Sequence, residues 1–145
     1  MRGRVQGTAD RIDPVEPGTA TAGRLPDTLI IGAMKCATSS LHQYLAAHPS
    51  IAASTPKELD FFLAERHAEL GEAWYRRQFC DPPGALRALE SSPNYTKRHE
   101  DAGVAARVAA LVPSARLVYV LRDPLKRIES HYVHSVGAEI GRAHV

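Results

Sequence analysis

Leu29-Ile30-Ile31-Gly32-Ala33-Met34-Lys35-Cys36-Ala37-Thr38-Ser39-Ser40-Leu41 is the stretch on which the fold turns. An unbroken apolar run ends in a turn of small residues that carries a lysine. A hydroxyl-rich segment then opens a helix, which is the layout of a phosphate-binding strand, loop and helix. The stretch is not a Walker A loop, because that motif needs Gly-x-x-x-x-Gly-Lys-Ser/Thr, whereas here Lys35 precedes the hydroxyls and only Gly32 lies upstream. The physical features remain: free N–H groups and a positive dipole at a helix start, a lysine, and Thr38, Ser39 and Ser40 as donors. They point to an anionic ligand.

Outward from this stretch, Asp27 to Ile31 reads as a buried strand and Thr38 to His48 as a helix with Leu41, Tyr44 and Leu45 on its inner face, stopped by Pro49. A short strand is expected at Ile51–Ala53, and a helix from about Ala68 to Phe79 in which Trp74 and Tyr75 pack, ended by the Asp81-Pro82-Pro83-Gly84 turn. Leu86 to Ser91 is the next strand, left by the Ser92-Pro93-Asn94-Tyr95 loop. Asp101 to Val112 places Val104, Val108, Leu111 and Val112 at helical spacing. Arg116 to Leu121, rich in Val and Leu, reads as a strand covered on both faces, and Asp123 then caps a helix with Pro124 at its first position. This alternation predicts an α/β fold, a parallel sheet with helices on both faces. Ligands of such sheets lie at the carboxyl ends of the strands, where both the Lys35 loop and the Arg122 loop depart.

Composition narrows the function. The 145 residues are 44% hydrophobic and 23% charged, ordinary for one globular core. A net charge of +2 with no lysine or arginine stripe argues against nucleic acid as partner. Two cysteines, Cys36 and Cys80, form no disulfide framework and are read as reduced, Cys36 as a small packing residue. No stretch has the roughly 20 apolar residues of a membrane span, and no apolar segment follows Arg2 and Arg4, so the expected compartment is the cytoplasm. Residues 1–26, dense in glycine and proline, are read as a disordered leader.

Lys35-Cys36-Ala37-Thr38-Ser39-Ser40-Leu41 resembles the 5′-phosphosulfate loop of sulfotransferases that use 3′-phosphoadenosine-5′-phosphosulfate (PAPS), usually Lys-x-Gly-Thr-Thr/Ser-x-Leu. Arg122-Asp123-Pro124-Leu125-Lys126-Arg127-Ile128-Glu129-Ser130 resembles the 3′-phosphate motif of that family, Arg-Asp-Pro-x-x-Arg-x-x-Ser. Between them, Lys57-Glu58-Leu59-Asp60-Phe61-Phe62 resembles the Lys-Glu-x-His-Phe-Phe segment of its heparan-sulfate-type branch. The resemblance, which covers roughly Leu29 to His134, implies a P-loop-NTPase-like sheet and PAPS as co-substrate, without a metal. It implies that Lys35 stabilises charge on the departing nucleotide, and that Ala37, Thr38, Ser39 and Ser40 form the 5′-phosphate cradle. It implies further that Arg122 and Ser130 hold the 3′-phosphate and that Glu58 is the catalytic base that takes the acceptor's proton. Arg127 either lines the site or pairs with a carboxylate.

Three departures from the family pattern carry expectations of their own. Ala37 stands in place of glycine, so the loop is expected to avoid positive φ there. Asp60 replaces a histidine, which leaves the acid/base partner open. Ser91 occupies a position where glycosaminoglycan enzymes have lysine, which favours a small-molecule, lipid or neutral-sugar acceptor over a heavily sulfated polyanion. An ATP- and magnesium-dependent P-loop kinase lacks support, since the Lys-Ser/Thr pair and a strand-end acid are missing. A binding module without turnover has no need of Glu58. Residues 27–138 are therefore read as the N-terminal part of a sulfotransferase domain, C-terminally truncated and inactive alone. Glu139–Val145, which matches the in-frame translation of a common sequencing adaptor, is read as a non-native tail.

Overall fold

A computed structural model describes residues 23–79 and 84–142, with only the helical backbone for 138–142. Most of the expected leader, Cys80 with the first part of the 81–84 turn, and the end of the expected tail lie outside the described residues. The elements are β1 (Thr28–Gly32), α1 (Thr38–Ala46), β2 (Ile51–Ala53), α2 (Ala64–Arg76), β3 (Arg87–Ser91), α3 (Val104–Leu111), β4 (Arg116–Tyr119) and α4 (Pro124–Arg142). A 3-10 turn, Pro93–Thr96, follows β3 where the sequence suggested an open loop. The sheet runs β2-β3-β1-β4 with every pairing parallel, as the alternating pattern predicts.

Register decides which residues share a face. Leu29 pairs with Glu90 and with Leu117, so Leu29, Ile31, Ala88 and Glu90 face one way and Thr28, Ile30, Leu89 and Ser91 the other. β1 is central, and Leu29 and Ile30 are both fully buried, which explains an apolar run without alternation. On the first face Leu29 and Ala88 join Phe61, Phe62, Tyr75, Phe79, Val104 and Val112 in the core. Phe61 stacks on Tyr75 at 4.0 Å and 6°, and Phe62 meets Tyr75 and Tyr95 edge-on at 5.4 and 5.5 Å. Each such buried side chain stabilises by about 1.5–3 kcal/mol. The consequence for function is that the Lys57–Phe62 stretch hangs from the core by its two phenylalanines. α1 packs across β1, β2 and β3.

The structure departs from the sequence reading at several points. α2 begins at Ala64 and is broken at Gly71, whose φ of 68° is open to glycine without strain. Tyr75 is buried as expected. α1 turns Thr38 and His42 inward, while Tyr44 is 80% exposed, because residues four apart share a helix face and the phosphate-loop hydroxyl fixes which face that is. α3 starts at Val104 rather than Asp101, since the Asp101 carboxylate is engaged by the Gly103 and Ala64 N–H groups at 2.9 and 2.8 Å and by Arg107. β4 is an edge strand and not a covered one: Leu117 is 56% and Leu121 79% exposed. At the end of β1, a Cβ on Gly32 would lie 2.7 Å from the Tyr119 ring and 2.8 Å from Thr96 Oγ1, so a larger residue would have to displace those side chains.

Candidate active site

The chain leaves β1 at its carboxyl end through Ala33 to Ala37, and Ala33 N–H still bonds the Val120 carbonyl at 3.1 Å. Beyond that bond the loop departs from extended geometry. Lys35 has φ 67°, and Ala37, at the cap position of α1, has φ 61° and ψ 24°. The expectation that Ala37 avoids positive φ is thus overturned. The loop has to reverse before α1, and the residue at the reversal takes the left-handed conformation whether or not it is glycine, at a cost of about 1–2 kcal/mol. Ala37 offers no side-chain acceptor, and no side chain caps α1, so the first amides of the helix are available to an anion.

A cavity of about 420 Å³ opens beside this loop. Lys35, Ala37, Thr38 and Ser39 line it from the loop and α1, Glu58 and Asn94 from the segments after β2 and β3, and Arg122, Ser130 and His134 from the start of α4. Of the residues singled out in the sequence, Lys35, Ala37, Thr38, Ser39, Glu58, Arg122 and Ser130 line this cavity; Ser40, exposed on α1, does not, nor do Asp60, Ser91 and Arg127. A second bay of about 540 Å³ shares Lys35, Arg122, Ser130 and His134 and adds Lys126 and Glu129. The cations gathered there suit a ligand with two separated anionic groups.

α4 is positioned by its own cap and by two arginines. Asp123 Oδ1 accepts the Lys126 N–H at 3.0 Å. Arg122 Nη1 donates to the Lys35 carbonyl at 3.1 Å, and Arg127 Nε to the Met34 carbonyl at 3.1 Å. Neither role weighed for Arg127 in the sequence describes this contact: it ties α4 to the loop backbone.

Glu58 adopts φ 62°, donates its N–H to the Ser91 carbonyl at 3.1 Å and forms an ion pair with Lys57. Its side chain is about half exposed, on the cavity wall. Asp60, at φ 51°, accepts from Asn94 Nδ2 at 2.9 Å; burial pushes its carboxyl up, with the Asn94 bond opposing. His42, one turn behind Thr38, is buried with Nδ1 unpartnered, and burial followed by the nearby Lys57 charge pushes its imidazole down. Below the site, Glu90 is fully buried; burial pushes its carboxyl up while hydrogen bonds from Ser92, Tyr75 and Tyr95 oppose. Cys36 is a buried free thiol whose Sγ points to the Met34 carbonyl at 3.7 Å.

Sequence reasoning missed Asn94, Lys126 and His134. Lys126 lay inside a quoted motif, and the four-residue step from Ser130 to His134 was the signal that both share one face of α4. Asn94 had no such signal, because the 3-10 turn that aims it was read as an open loop. Among the described residues no cluster of three or more His, Cys, Asp or Glu side chains is arranged to hold a metal, and no helix is long and apolar enough to cross a membrane.

A phosphate-suited loop and an arginine-led helix start, both at the carboxyl edge of one parallel sheet, define an α/β anion-binding protein. The chain belongs to the sulfotransferase family: the family model described as "Sulfotransferase domain" matches residues 25–143. It is 34% identical over 120 residues to human bifunctional heparan sulfate N-deacetylase/N-sulfotransferase 3, across 79% of this chain and 13% of that protein. To bifunctional heparan sulfate N-deacetylase/N-sulfotransferase 1 of Caenorhabditis elegans it is 31% identical over 124 residues, across 82% of this chain and 14% of the relative. A sulfotransferase crystal structure from Alicyclobacillus acidocaldarius superimposes with a TM-score of 0.67 at 30% identity, covering 80% of this chain and 52% of that one. The chain therefore spans about half of that solved structure and a much smaller share of the curated relatives.

Proposed function

We propose that this chain supplies the donor-binding loop, the base and the 3′-phosphate motif of an enzyme that moves a sulfuryl group from PAPS to a hydroxyl or amine. The observation that carries the reading is the shared cavity: Lys35, Thr38, Ser39, Glu58, Arg122 and Ser130, far apart in sequence, line one wall-to-wall space. Two cationic bays joined at Lys35 match the chemistry of a nucleotide with phosphates at both its 5′ and 3′ positions. The donor supplies an activated sulfuryl group whose bond to the 5′-phosphate oxygen breaks as a new bond to the acceptor forms. Glu58 takes the proton from the acceptor hydroxyl or amine as it attacks in line. Lys35 and the amides opening α1 stabilise the negative charge left on the departing phosphate oxygen. Arg122 and Ser130 hold the 3′-phosphate, and Arg122 does so beside the Lys35 carbonyl that it already contacts.

The acceptor is a carbohydrate in this reading, supported by the names of the relatives; Ser91, expected from the sequence to bear on the acceptor's charge, is fully buried and lines neither bay. The test is a calorimetric titration with adenosine 3′,5′-bisphosphate, adenosine 5′-monophosphate, and ATP with Mg²⁺. Preferred binding of the bisphosphate without metal supports the reading. Preference for ATP with Mg²⁺ sinks it in favour of a kinase.

A further inference from the structure

The segment that carries Glu58 is anchored in the core by Leu59, Phe61 and Phe62, but its backbone is strained. Glu58 at φ 62° and Asp60 at φ 51° are both non-glycine residues in the left-handed region. Alternate N–H groups of the turn are tied to the segment leaving β3: Glu58 N–H to the Ser91 carbonyl at 3.1 Å, Asp60 N–H to Ser92 Oγ at 3.1 Å, and Phe62 N–H to Tyr95 Oη at 3.3 Å. Two of these acceptors are hydroxyls, and a hydroxyl can rotate to present its proton instead of a lone pair. What stops that rotation is Glu90. Its Oε1 accepts Ser92 Oγ–H at 2.7 Å and Tyr95 Oη–H at 2.5 Å, and its Oε2 accepts Tyr75 Oη–H. With their protons committed to the carboxyl, Ser92 and Tyr95 turn lone pairs toward the Asp60 and Phe62 amides.

We propose that Glu90 is a positioning residue for the reaction: through Ser92 and Tyr95 it locks the Lys57–Phe62 turn and so sets Glu58 on the wall of the cavity that Lys35 also lines. The inference rests on the reading of Glu58 as the base. Glu90 itself touches no part of the cavity. It is fully buried on the sheet face away from Ser91, beside Leu29, and among the described residues it pairs with no cation, so a cage of three hydroxyl donors holds it in place.

The hydrogen-bond pattern separates a positioning role from a structural one. Tyr75 bonds Glu90 but none of the turn's amides, whereas Ser92 bonds both. In the intact protein, Ser92→Ala and Glu90→Gln are expected to lower kcat by about 10- to 100-fold, the scale of a small misplacement of a reacting group. The affinity for adenosine 3′,5′-bisphosphate stays within about twofold, and the Asp60 amide exchanges hydrogen faster in both variants. Tyr75→Phe is expected to lower the melting temperature while keeping kcat within about twofold, since the turn keeps its acceptors. The proposal is overturned if kcat in all three variants tracks the loss of stability, or if Ser92→Ala and Glu90→Gln keep normal turnover while Glu58→Gln loses it. If Glu58→Gln itself keeps turnover, the base assignment falls. Amide exchange then still decides whether Glu90 holds the turn: acceleration at Asp60 and Phe62 in Glu90→Gln supports it, and unchanged exchange overturns it.

Discussion

Ala37→Gly tests whether the phosphate loop carries strain. Ala37 sits at φ 61° and ψ 24°, is exposed, and makes no side-chain cap, so removing its Cβ deletes no packing and no hydrogen bond. The left-handed conformation costs a non-glycine residue about 1–2 kcal/mol. Glycine returns that strain but adds unfolded-state freedom that costs about 0.4–1 kcal/mol. The balance is a gain between about zero and 1.6 kcal/mol, each kcal/mol raising Tm by about 2–4 °C for a chain of this length. Urea unfolding measures it directly: the midpoint moves up and the slope stays constant. Were Ala37 instead an interior helical residue, the same change would lower stability by about 0.5–1 kcal/mol, the penalty for glycine against alanine inside a helix. A destabilised Ala37→Gly protein would therefore refute the loop conformation, and with it the argument that the amides of α1 are presented by a left-handed turn.

Arg122→Ala is expected to weaken adenosine 3′,5′-bisphosphate binding by about 1.5–3 kcal/mol, the range for a hydrogen bond to a charged group; an equal loss for adenosine 5′-monophosphate would show that the residue only braces the Lys35 carbonyl. Glu58→Gln is expected to reduce sulfuryl transfer in the intact enzyme by about 10²- to 10⁴-fold with cofactor affinity preserved, and normal turnover would move the base assignment to Asp60. Asp101 is held at about 2 by Arg107 first and by the Gly103 and Ala64 amides next, so its contribution is present above its unfolded value and drains away as pH falls from about 4 toward 2. Asp101→Asn should flatten the stability profile across that window, and an unaltered profile would refute the assignment. Exposed Leu117, Leu121, Leu125 and Ile128 on β4 and at the start of α4 predict concentration-dependent association of the isolated chain, checked by sedimentation; a monomer at all concentrations would count against it.

The legible parts of the sequence were those governed by local rules. Asp123-Pro124 named a helix start that the Lys126 N–H bond to Asp123 Oδ1 realises, and the unbroken Leu29-Ile30-Ile31 run named a strand buried on both faces. Ala37 was misjudged because a conformational preference was treated as a prohibition: the strand-to-helix reversal outweighs about 1–2 kcal/mol of steric cost. Glu90 was invisible as an organising residue. Its significance lies in Tyr75, Ser92 and Tyr95 converging on it from α2 and the segment after β3, and no spacing rule encodes that convergence.

β4 shows the deeper reason why a pattern reading stops where it does. Arg116 to Leu121 is rich in branched aliphatic side chains, as β1 is, yet β1 is buried on both faces and β4 is an open edge. Hydrophobicity records that a surface is suited to cover, and it does not say which residues supply the cover. In β1 the cover comes from α1 on one face and the aromatic core on the other; at β4 the described residues supply neither in full, leaving Leu117 beside an apolar groove shared with Val108 and Val112. The functional edge is tied to the same strand: Ala33 N–H bonds the Val120 carbonyl and Arg122 Nη1 the Lys35 carbonyl, so the cavity wall supplied by Arg122 and α4 depends on β4 as well as on the central strands.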